Sequence, residues 1–117
     1  MTNPYDRMRK ATLTGRALEH AVLARVTARL AEPGAGPGAF ERAVEDNRQL
    51  WMRFAADLCQ PGNACSDALK GGLISLAAYV ERRSGELLTA GGDPSALVEI
   101  NRNVMKGLSG TASAEAA

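Results

Sequence analysis

Three clusters of helix-breaking residues limit what this chain can become more than any other feature. Glu32-Pro33-Gly34-Ala35-Gly36-Pro37-Gly38 is a loop with neither helix nor strand signal; Gln60-Pro61-Gly62-Asn63 is a second break and Ala90-Gly91-Gly92-Asp93-Pro94 a third. Each interval between them is long enough for several helical turns and carries apolar residues at helical spacing. The chain therefore reads as a set of rods joined at tight corners.

The interval over 40–58 has the clearest pattern. Phe40, Ala43, Val44, Asn47, Leu50, Trp51, Phe54, Ala55 and Leu58 follow i, i+3, i+4, i+7 spacing, and Glu41, Arg42, Glu45, Arg48, Gln49 and Arg53 fill the opposite face. Before it, Leu18, Val22, Val26 and Leu30 recur every fourth residue. Gly15 marks a kink or a frayed start there, which leaves room for a separate short helix over 5–14. The third interval opens with Ser66 as N-cap and Asp67 at the positive end of the helix dipole. Leu69, Leu73, Leu76, Val80 and Leu87 form its stripe, and Ile74, Ala77, Ala78 and Tyr79 widen the apolar surface. A helix apolar over so much of its circumference is either central in a bundle or shares one side with a partner. Gly71 and Gly72 together cost about 2 kcal/mol against alanine; close helix approach would offset that, or a bend would use it. In the fourth, Asp93 caps, Pro94 takes the first helical position, and Leu97, Ile100, Asn101, Val104, Met105 and Leu108 form the stripe, with Gly107 expected as a left-handed cap.

These rods predict an all-α fold, a small bundle of four to five helices, antiparallel or a bent variant of that. Residues 1–108 are expected to form one domain and 109–117, a run of small residues, a disordered tail. Aromatics make up only 4% of the 117 residues, which favours close helix packing over sheet. Trp51 is the expected core anchor.

Function classes fall away in turn. Fourteen basic and 13 acidic residues are interspersed, for a net charge of +1, so no basic face is available for nucleic acid. The cluster Arg7, Arg9 and Lys10 reads as a solvated helix start. No run is long and apolar enough to cross a bilayer, and residues 1–10 lack the apolar core of a secretion signal, so a cytoplasmic location is expected. His20 is the one histidine and has no acidic partner on its helix face. Cys59 and Cys65 match no zinc spacing; a disulfide across the turn is geometrically open, but two inert, partly buried thiols are expected in a reducing compartment. The glycines at 34–38 lack the Lys-Ser/Thr of a phosphate loop. No catalytic, metal or cofactor site is expected, and no enzymatic activity.

Asn47 and Asn101 are more informative, each set within an apolar stripe and followed by arginine. A buried amide without partners costs about 1–3 kcal/mol. Each is therefore either a core amide that fixes helix register or a clamp on a partner's backbone.

At this level of detail the chain resembles the FlaF family of bacterial flagellar biosynthesis proteins. The resemblance rests on Asn47-Arg48-Gln49-Leu50-Trp51, then Asp57, Asn63, Leu73-Ile74-Ser75-Leu76, and Leu97-Val98-Glu99-Ile100-Asn101-Arg102-Asn103-Val104-Met105-Lys106-Gly107-Leu108, in that order. Tyr5 and the Arg16–Glu19 spacing also fit, and Cys65-Ser66 departs from the Leu-Pro that relatives tend to carry after the asparagine. The resemblance implies a cytoplasmic helical protein that binds flagellin as a secretion chaperone or assembly factor, alongside the regulator FlbT. A post-transcriptional regulator acting with FlbT or on flagellin messenger RNA is the alternative. Few aromatics lie outside the core stripes, so little surface suits RNA bases. Flagellin termini are long amphipathic helices, which a small bundle can shield by helix-in-groove binding. Leu73, Ile74 and Tyr79, with Met105 as an adaptable contact, are the expected groove residues.

Overall fold

A computed structural model describes the backbone of residues 16–62 and 66–116 and the side chains within 20–62 and 66–107. Within these residues the chain is all helical: α1 is Arg16–Ala31, α2 Ala39–Leu58, α3 Asp67–Ala90 and α4 Ser95–Ala116. The three predicted corners separate them. Tyr5, the basic cluster at 7–10, the short helix proposed over 5–14, Asn63 and Cys65 lie outside the described residues.

Each corner is built by local chemistry. Gly38 sits ahead of α2 at φ 75°, a conformation that glycine adopts without a Cβ penalty. Arg42 Nη1 donates to the Pro37 carbonyl at 3.3 Å. Ser66 caps α3 as expected, its Oγ accepting the Leu69 N–H at 3.2 Å. Before α4, Asp93 Oδ1 accepts the Ser95 N–H at 2.9 Å, and the Pro94 carbonyl accepts from Leu97 and Val98. The helix thus starts one residue later than the sequence suggests, with Pro94 as the flanking residue whose carbonyl accepts the first intrahelical bond, from Val98.

Helix α2 packs most extensively on α3, and α1 on α4; α1 meets α2 less fully, and α3 and α4 touch little. No close backbone approach links α2 to α4 or α1 to α3, so the helices form a ring in chain order with α2 and α4 on one diagonal. The main core joins Leu30, Ala43, Val44, Trp51, Ala77, Val80, Leu87, Leu97 and Val98. Across the α2–α3 pair, Arg48 Nε faces Glu81 Oε2 at 3.2 Å, an ion pair whose angle falls short of a hydrogen bond. Carried along two antiparallel helices, this pairing sets Ala39 opposite Ala90 and Leu58 opposite Gly71. The first turn of α3 therefore overhangs the end of α2, which explains why Leu69 is 48% exposed.

Several expectations are corrected. The buried line of α1 is Leu23, Thr27 and Leu30, with Val22 and Val26 only half-buried. A strict four-residue repeat slips by about 40° per step on a helix of 3.6 residues per turn, so the Val22–Val26 line winds away from the core. Thr27 takes the inner place because its hydroxyl donates to the Leu23 carbonyl at 2.6 Å. Gly107 is not a left-handed cap: it lies within α4, which continues to Ala116. Alanine-rich sequence is intrinsically helix-favouring, and nothing at Gly107 stops the ladder. Cys59 is exposed rather than partly buried, because α2 ends at Leu58 and leaves it in the turn. Gly71 and Gly72 do not serve a close helix approach, since nothing lies within 4 Å of a Cβ built at either, and α3 runs through them without a break.

Candidate functional site

The sequence separates Asn47, Trp51 and Asn101 by half the chain; folding joins them. An indole N–H can only donate, and Trp51 Nε1 donates to Asn101 Oδ1 at 2.9 Å. That bond orients the Asn101 amide, whose Nδ2 donates to Asn47 Oδ1 at 2.7 Å. All three side chains are fully buried. The bridge thus spans the α2–α4 diagonal, where the two backbones do not approach each other. Of the two readings of the asparagines, the geometry presents the core amide that sets register, since neither amide reaches the surface. Satisfaction is incomplete: Asn47 Nδ2 and Ser84 Oγ are buried without a hydrogen-bond partner. Phe54 meets the Trp51 ring edge-on, 5.9 Å between centroids.

Around this interior the edges of α3 differ. Glu81, which pairs with Arg48, marks the side toward α2. Arg83 Nη2 donates to the Asp93 carbonyl at 3.2 Å and marks the side toward α4, one turn from Tyr79. Leu76 and Tyr79 on that side, with Ile100 and Val104 on α4, are half-buried against the core. Because α3 and α4 touch little, these four flank the least closed seam of the ring. The Arg82 guanidinium lies over the Tyr79 ring, 5.3 Å from its centroid, and covers its outer face.

The four predicted groove residues do not form one wall. Leu73 lies half-buried on the core-facing line of α3, and Ile74 is 36% exposed. Five residues separate Ile74 from Tyr79, which turns them about 140° apart on a helix. Ile74 thus looks past α2 and Tyr79 toward α4. Met105 is half-buried on α4, also five residues and about 140° from Ile100, hence off the seam. Leu76, Ile100 and Val104 border the seam and were not among the residues expected there. Their periodicity marks them as stripe, and only the arrangement of neighbouring helices reveals which edge of a stripe stays uncovered.

Two shallow depressions lie beside the corners, one lined by Arg83, Gly85, Glu86, Thr89, Ala90 and Gly91, the other by Arg29, Pro33, Ala39, Arg42, Ala43 and Asp46. Among the described residues no three His, Cys, Asp or Glu side chains gather as a metal site, and no helix is long and apolar enough to cross a membrane. His20 is half-buried on α1.

A four-helix ring with a buried amide bridge and one loosely closed apolar seam defines a small helical-bundle protein. A family model described as flagellar protein FlaF matches residues 1–108, and the chain belongs to that family. No curated protein and no solved structure matches it.

Proposed function

We propose that this flagellar protein binds flagellin in the cytoplasm and supports its synthesis and export, holding an amphipathic flagellin helix along the α3–α4 seam. It acts by contact, without a catalytic step or cofactor, and FlbT is a second expected partner. One observation carries the reading: Leu76 and Tyr79 on α3 and Ile100 and Val104 on α4 are only half-buried against the core, on two helices that barely meet. A guest helix presenting apolar residues at i, i+3, i+4 and i+7 would complete the burial of all four. Leu69, exposed in the first turn of α3, extends the apolar surface beyond the seam.

Size-exclusion chromatography of the purified protein mixed with flagellin monomer tests the reading. Co-elution as a defined complex that survives moderate salt is expected, because apolar contact dominates and salt screens only charges. Separate elution, combined with a gel shift on flagellin messenger RNA, would transfer the assignment to the regulator alternative.

A further inference from the structure

We infer that the molecule is a two-jawed clamp, with α2–α3 as one jaw and α1–α4 as the other, hinged at the two glycine corners and latched by the Trp51–Asn101–Asn47 bridge. The packing is unequal in the sense this requires: contact within α2–α3 and within α1–α4 exceeds contact between them. The two connections between jaws, 32–38 and 91–94, lie at one end of the molecule, because the register of α2 on α3 sets Ala39 opposite Ala90. Each contains two glycines at positive φ: Gly34 at 92° and Gly38 at 75°, Gly91 at 75° and Gly92 at 130°. Residues of this kind absorb the backbone rotations that hinge motion needs. Far from that end lie the overhanging first turn of α3 and the later turns of α4, where a mouth would open.

The latch is placed midway and joins one jaw to the other. Trp51 and Asn47 belong to α2, Asn101 to α4, and both bonds are buried. The shut state also carries a built-in opposing element. Asn47 Nδ2 and Ser84 Oγ are buried without partners, and opening to water would satisfy both. A wholly apolar interface would lack that bias. The inference goes beyond the flagellin reading and does not depend on it, since both tests below use the protein alone.

Spin labels at Lys70 on α3 and Lys106 on α4, with Cys59 and Cys65 replaced by serine, report the mouth width by double electron–electron resonance. Trp51→Phe removes the latch donor and keeps a ring in the core; Asn101→Ala removes both bonds. One short distance is expected in the parent, and a second, longer population in the variants with helical circular dichroism unchanged. An unchanged distance in folded variants would overturn the clamp. If the variants fail to fold, exchange of the Trp51 Nε1 proton in the parent decides. Exchange clearly faster than that of the central α2 amides supports latch opening without unfolding, and equal protection refutes it.

Discussion

At the scale of single residues, the amide bridge is where this sequence departs most from an ordinary helical core, and its energetics can be separated. Asn101→Ala leaves the Trp51 Nε1–H and Asn47 Oδ1 buried without partners, an expected loss of roughly 2–6 kcal/mol at about 1–3 kcal/mol per orphaned group. Adding Asn47→Leu removes one of those orphans together with Nδ2, which has no partner in the native protein. The double variant should therefore be less destabilised than the sum of the single changes, and a urea double-mutant cycle reads the difference as a coupling energy. Strict additivity would mean that the bridge contributes nothing as a unit. Trp51→Ala is a separate case: it empties the largest fully buried side-chain site and should cost about 3–5 kcal/mol.

Individual helices make a sharper test of what their glycines are for. Gly71 and Gly72 are exposed, lie inside α3, and have open space where a Cβ would sit. Alanine at either should stabilise the protein by about 0.5–1 kcal/mol, seen as a higher urea midpoint at unchanged slope. Gly92→Ala should do the opposite, because Gly92 sits at φ 130° and a Cβ there would come within 3.3 Å of Leu87 Cδ2. The breaks, the Ser66 cap and the face of α2 were legible because each depends on residues a few positions apart. The burial of Thr27 was not, since a threonine enters a core only once its hydroxyl finds the carbonyl one turn back. For the site, Asn47 and Asn101 stood out as polar residues on apolar stripes, yet their shared partner Trp51 depends on how α4 crosses the interior. The seam was illegible for the same reason: Tyr79 and Ile74 look alike along the sequence, and only neighbouring helices assign them to different edges.

For the whole molecule, the ring's one loose seam gives the binding reading a directional consequence. If flagellin lies between α3 and α4, Tyr79→Ala should weaken its binding at least tenfold, because the ring flanks the seam and supplies apolar area that a guest would cover. Ile74→Ser should change affinity by less than twofold, since that side chain faces past α2. The reverse ranking would move the guest to the α2–α3 flank and leave the seam without a role. Fluorescence of Trp51, the one tryptophan in the chain, offers the readout without a label. A titration with flagellin monomer, repeated at low and moderate salt with helix content checked by circular dichroism, distinguishes lost contact from lost fold. Affinity that collapsed with salt would point to charged rather than apolar recognition, and with it to a surface other than the one Leu76, Tyr79, Ile100 and Val104 enclose.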